Sequence, residues 1–167
     1  GAVNLWESTN GGLSWNLNAY WTWPQSGTNY IHADLHNLDY NGSTLWCGSD
    51  GGVFRSTNEG SSFTDVSEGL SISQFYRLGV YAANSSRVSC GAQDCGTNLM
   101  TGSDWTHVLG ADGMETIIHP TDQNIMWACT QYGGLNKSTN GGSDFSWAAS
   151  GINEDGAWTT PYILSPD

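Results

Sequence analysis

Basic residues are scarce. Lys and Arg together number 4 in 167 residues, against 16 Asp and Glu, giving a formal net charge of −12. A surface of that sign repels phosphate backbones, which excludes nucleic acid as a partner and disfavours anionic membrane surfaces. No apolar run approaches the ~20 residues that a membrane-spanning helix needs, so insertion by a helix is excluded as well. Cysteine is limited to 4 residues with no Cys-x-x-Cys pair, which argues against a zinc knuckle. Proline numbers only 4, whereas glycine numbers 22, so tight turns are expected. The 9 Trp and 7 Tyr are incompatible with an acidic disordered tail and predict a folded chain. The length suits one domain with a sizeable core.

The acidic, Asn-, Ser- and Thr-rich, lysine-poor composition suits a secreted or cell-surface protein, where disulfides persist. Cys47, Cys90, Cys95 and Cys129 allow three pairings, and the sequence does not choose among them. A Cys90–Cys95 loop is sterically allowed. On a second reading, Cys47, Cys90 and Cys129 are buried small residues at matching second-strand positions. The opening Gly1-Ala2-Val3-Asn4-Leu5 reads like the inside of a strand. A processed N-terminus or a piece of a longer chain is therefore expected.

The chain repeats itself. Ser8-Thr9-Asn10-Gly11-Gly12-Leu13-Ser14-Trp15, Ser56-Thr57-Asn58-Glu59-Gly60-Ser61-Ser62-Phe63 and Ser138-Thr139-Asn140-Gly141-Gly142-Ser143-Asp144-Phe145 are versions of one string. Thr101-Gly102-Ser103-Asp104-Trp105 is a shortened fourth. The closing aromatics Trp15, Phe63, Trp105 and Phe145 step by 48, 42 and 40 residues, and Cys47, Cys90 and Cys129 by 43 and 39. Within a unit, short alternating stretches are separated by Asn-Gly, Asp-Gly-Gly and Asn-Glu-Gly turns, the pattern of successive hairpins. Residues 31–38, 45–47, 53–55 and 62–66 read as the four strands of one unit. Four short strands per ~40–50 residues predict an all-β chain of β-propeller blades.

Residues 1–30 then end one blade and carry a connecting loop. Residues 31–70, 71–110 and 111–152 form three blades, and 153–167 open the next, with residues 161–164 as its first strand. This is about 3.5–4 blades, fewer than most rings hold. The rest of the ring is expected from sequence beyond these residues or from partner chains.

The Ser-x-Asn-x-Gly-x-x-aromatic strings resemble the Asp-box, or BNR, repeat of sialidase-like, xyloglucanase-like and sortilin-type secreted bacterial propellers. Asn10, Asn58 and Asn140 stand where that family usually carries Asp. The residues Ser8, Asn10, Gly12 and Trp15, Ser56, Asn58, Gly60 and Phe63, and Ser138, Asn140, Gly142 and Phe145 are read as structural. The polar ones close a turn through side-chain-to-backbone bonds, and the aromatics pack between sheets.

Chemistry is expected elsewhere. Alternation along one strand puts His32, Asp34 and His36 on a single face, lining the central channel. The ends of that trio are ~13 Å apart on a strand, too far to share one zinc ion. Arg77 and Glu115 fall at comparable inner-strand positions, completing a set of ligand-contact candidates. Asp50, Asp94 and Asp112 sit in Gly-rich loops. With Asp34 and Glu115 they are the candidate carboxylates for a glycosidase, or for calcium as the one metal worth weighing. The xyloglucanase-like resemblance points to Asp50 in its Asp-Gly-Gly turn. Sialidase chemistry is disfavoured, because Arg55 and Arg87 lie away from the channel. Trp21, Trp23 and Tyr30 in the connecting loop are aromatic candidates for stacking on sugars. The expected role is an extracellular binding or scaffolding module with a glycan or protein ligand. The alternatives are a glycoside hydrolase, or a structural repeat of a larger adhesin.

Overall fold

The computed structural model describes residues 3–22 and 29–165. The chain divides into two compact units, residues 1–72 and 73–167. In the first, β1 (Leu5–Glu7), β2 (Asn16–Tyr20) and β3 (Asn29–Tyr30) form one sheet. β4 (Leu35–Asn41), β5 (Thr44–Ser49), β6 (Gly52–Ser56) and β7 (Thr64–Asp65) form another. The second unit holds β8 (Phe75–Tyr81), β9 (Asn84–Ala92), β10 (Gly96–Thr101) and β11 (Asp104–Leu109). Its other sheet is β12 (Thr116–Ile118), β13 (Met126–Thr130), β14 (Gly134–Ser138) and β15 (Ser146–Trp147). In all three four-stranded sheets, chain order equals strand order and every pairing is antiparallel. Three such meanders at one sequence period, with part of a fourth, make this an all-β fold of β-propeller blades. Among the described residues, no helix is long and apolar enough to cross a membrane.

Each unit has its own core. Leu5, Ala19, Ile31, Cys47 and Phe54 are buried together in the first, joined by Tyr30, Leu35 and Phe63. Leu99, Ile118 and Met126 are buried together in the second, joined by Tyr81, Val108 and Phe145. Phe63 and Phe145 thus pack between sheets as expected. Trp15 and Trp105 do not and are exposed. At Trp105 the shortened string makes a plain hairpin, with Thr101 opposite Asp104 and Gly102 left-handed.

The three full Ser–Asn strings fold into one network. Ser8, Ser56 and Ser138 each donate Oγ–H to the Asn two residues on and accept the backbone N–H of Gly12, Gly60 and Gly142 at 2.8, 2.9 and 2.9 Å. Each Asn Oδ1 also accepts a backbone N–H four residues on. The asparagine amide adds a donor that aspartate lacks, spent on Ser14, Ser62 and the Asp144 carboxylate. This accounts for Asn at these positions and separates two otherwise similar substitutions. Asn140→Asp sets two carboxylates 2.9 Å apart and is expected to cost roughly 1 kcal/mol. Asn58→Asp leaves the Ser62 hydroxyl free to donate and is expected to cost less. Paired urea melts at low salt read the difference.

Four expectations are corrected. First, residues 31–34 are not strand. β4 begins at Leu35 and Asp34 adopts φ 57°, so His32, Asp34 and His36 do not share a strand face. Burial of Ile31 and Ala33 in the core pulls this segment off the ladder. Second, residues 29–30 pair in parallel with β2 instead of lying in a loop. Third, residues 161–164 form no strand. The segment is tied to its own unit instead: Tyr132 N–H donates to Trp158 O, Gly156 N–H to Tyr132 O, and Tyr162 Oη–H to Glu115 O.

The fourth correction concerns the cysteines. Cys90 and Cys129 pair with residues three before the string's first residue, whereas Cys47 pairs with Phe54, two before it. Cys47 is therefore one step out of register and faces the opposite side of its sheet. All three are buried thiols, because a blade's second strand is covered on both faces. Burial pushes Cys47 and Cys129 up to about 11.

Candidate functional site

In the first unit, the turn between β5 and β6 gathers three candidates. His36 Nε2 meets Asp50 Oδ1 at 2.5 Å, and Asp50 N–H donates to Asp34 O at 3.3 Å. The His32 ring lies over Gly51, where a Cβ would come within 2.1 Å of it. Glycine at 51 is thus required by the close approach of an imidazole. Trp21 is exposed, with its N–H donating to Asn4 Oδ1. Tyr30 is no platform for a sugar, since it packs edge-on against Phe54, with ring centres 6.0 Å apart. Trp23 lies outside the described residues.

The second unit assembles a larger polar group. Arg77 on β8 holds Glu115, just ahead of β12, by Nε to Oε2 at 3.3 Å. Arg77 also donates Nη1–H to Tyr76 O. Tyr76 Oη–H donates to Gln93 Oε1 and accepts Trp158 Nε1–H at 3.0 Å. Trp158 meets Tyr132 edge to face, with ring centres 5.3 Å apart and both residues exposed. Tyr162, whose hydroxyl bonds Glu115 O, is buried enough that its pKa is driven far above the usual phenol range.

Two loop carboxylates expected to do chemistry brace loops instead. Asp112 Oδ1 accepts Asp94 N–H at 2.9 Å, and Asp112 N–H donates to Gln131 Oε1 at 3.2 Å. Tyr132 occupies the hairpin turn equivalent to Asp50-Gly51 and Asp94-Cys95, at φ 60°. A left-handed tyrosine costs on the order of 1 kcal/mol relative to glycine, yet its ring is spent on no core contact. The group thus presents an aromatic corner beside a cation, a carboxylate and an amide. Such an assortment binds a polar ligand with an apolar face.

Sequence reasoning singled out Arg77 and Glu115 here but missed Tyr132, Trp158, Tyr76 and Gln93. Tyr132-Gly133-Gly134 at the register of Asp50-Gly51-Gly52 was an available signal for the first. Nothing local marks Trp158, which arrives through a segment expected to be strand.

No family model matches the chain, and no curated protein does. Among solved structures, it is similar to the GH74 enzyme of Niastella koreensis. Identity is 20% over 87% of this chain and 26% of that one, with a TM-score of 0.40. An ancestral GH74 enzyme is similar at 18% identity over 90% and 22%, with a TM-score of 0.41. YCF48 from Cyanidioschyzon merolae is similar at 11% identity over 86% and 52%, with a TM-score of 0.38. The chain spans about a quarter of the GH74 chains and about half of YCF48.

Proposed function

We propose that this chain is a ligand-binding part of a secreted or cell-surface propeller, and that its ligand is a glycan. The observation that carries the reading is the exposed Tyr132–Trp158 corner, held by Tyr76 beside the Arg77–Glu115 pair. Sugar rings offer an apolar C–H face to an aromatic ring and hydroxyls to amides and charges. A binding role is favoured over hydrolysis because the second unit's carboxylates are committed. Glu115 is paired with Arg77, and Asp112 braces the Asp94 loop. The shared Ser–Asn turn network supports assigning the repeat to the Asp-box type.

The test is retention of a neutral and acidic oligosaccharide panel on the immobilised chain, with product release scored in parallel. Retention without hydrolysis is expected. Tyr132→Gly is expected to weaken it about tenfold, equal to 1.4 kcal/mol, while leaving the melting transition within a few degrees, because glycine relieves the left-handed backbone. Trp158→Phe, which cannot bond Tyr76, is expected to weaken it less than Trp158→Ala. Hydrolysis abolished by Asp50→Asn would instead establish the glycosidase reading. Neither retention nor hydrolysis by folded chain would sink both.

A further inference from the structure

One sheet is short of its inner half, and the register of the others says what belongs there. Counted from the Ser–Asn string, β1 corresponds to β10 and β2 to β11. β10 pairs with β9 on one edge and β11 on the other, whereas among the described residues β1 pairs only with β2. On the facing sheet, Leu38 opposes Cys47 as Gly79 opposes Ser89 and Thr116 opposes Ala128. Leu38 and Tyr40 therefore hold the positions of Thr116 and Ile118. The last two are 1% and 3% exposed, and β12 packs on β8 and β9, with Thr116 Oγ1–H donating to Ser89 Oγ at 2.8 Å. Leu38 and Tyr40 are 47% and 56% exposed. Open clefts of about 320 and 300 Å³ run beside them, and both are lined by Leu5, Trp6 and Leu38.

We propose that this cleft and the free edge of β1 take a two-stranded polypeptide hairpin of β8–β9 type. It would pair with β1 as β9 pairs with β10 and bury Leu38 and Tyr40 as β8 and β9 bury Thr116 and Ile118. Two observations add charge and polarity to the match. Arg87 on β9 donates Nη2–H to Gly141 O in the next sheet's string, at 2.7 Å. The residue equivalent to Gly141 in the first unit is Glu59, which lines the cleft with Glu7. An arginine at the hairpin's Arg87 position would thus meet a carboxylate. The cleft is also lined by Asn18, whose buried Oδ1 accepts no hydrogen bond. The occupant is a hairpin with a basic residue at the start of its second strand and small residues where it crosses β4. This mode of recognition is strand addition to an open edge. The proposal rests on the propeller reading of the chain, not on its glycan site.

The test joins a copy of residues 73–93 ahead of Gly1 through a flexible Gly/Ser linker, which keeps its effective concentration high. Backbone amide exchange is then followed at Leu5–Glu7. Exchange there is expected to slow by at least about tenfold relative to the unmodified chain. The effect should be largely lost with Leu38→Asp and reduced with Glu59→Gln or with Arg87→Glu in the appended copy. Protection across β5–β6 certifies the fold in every variant. Unchanged exchange at Leu5–Glu7 in a chain so certified overturns the proposal. So does protection that the unmodified chain acquires by itself at high concentration, which would make a second copy the occupant. Oligosaccharide retention on the same protein reports separately on the Tyr132–Trp158 corner.

Discussion

Gly91→Ala is expected to destabilise the second unit by about 3 kcal/mol or more, as overpacking against fixed backbone does at its severe end. A Cβ at 91 would lie 1.9 Å from Met114 O and 2.7 Å from Gly113 C. The obstacle is main chain, so no side-chain rotation relieves it. The contact is also locked from the other direction. A Cβ on Gly113 would lie 2.1 Å from Gly96 O, and Gly113 N–H donates to Ala92 O at 3.0 Å. Two glycines thus let β9 and the approach to β12 touch backbone to backbone. Moving one breaks the hydrogen bond that the other makes. Gly48→Ala is the matched control. Gly48 lies on β5, where nothing stands within 4 Å of an added Cβ, and the change is expected to stay within about 0.5 kcal/mol. Urea denaturation of the two variants side by side measures the difference. Equal midpoints would show that the close approach is not maintained.

The second large effect is expected at Arg87. Counted by pairing, it stands where the other blades carry Leu45 and Met126, because Arg87 opposes Thr101 as those residues oppose Ser56 and Ser138. It is 9% exposed. Its guanidinium donates to Thr101 Oγ1 at 3.1 Å, Gln123 O at 3.4 Å and Gly141 O at 2.7 Å. Met126 Sδ lies 3.9 Å from the same nitrogen that reaches Gly141. Arg87→Ala removes these bonds, strips a buried carbonyl of its donor and opens a cavity, so a loss of about 3 kcal/mol is expected. Arg87→Met keeps the apolar stem and removes a charge whose burial is itself costly, so about half that loss is expected. Thermal and urea melts of both variants decide the matter. A methionine variant as weak as the alanine one would place the whole contribution in the hydrogen bonds.

What the sequence made legible was what neighbouring residues decide. Turn glycines and asparagines announced the hairpins, and the Ser–Asn strings announced the repeat. Each such signal is complete within a few residues. The errors arose where a distant contact overrides a local pattern. Alternation through His32, Asp34 and His36 looked like a strand, but Ile31 and Ala33 were claimed by the core. Cys47 looked equivalent to Cys90 and Cys129 by spacing, yet a one-residue difference turned it to the other face. Arg77 and Glu115 were found from register and do meet. Trp158 was not found, because it joins Tyr76 from 82 positions along the chain. Arg87 was dismissed as a residue beside a turn, since nothing in its neighbourhood reveals the carbonyl of Gly141.

The hydrogen bonds that close each Ser–Asn turn connect residues no more than four apart. Nothing remote has to arrive before such a turn can form. Loop closure on that scale takes well under a microsecond, against the far slower search for long-range strand partners. The turns are thus positioned to form ahead of the sheets they join, each setting the register of its outer hairpin. The shortened string at Thr101–Asp104 lacks this device. The sheet of β8–β11 is accordingly the blade expected to order last, with Arg87 among the final contacts made.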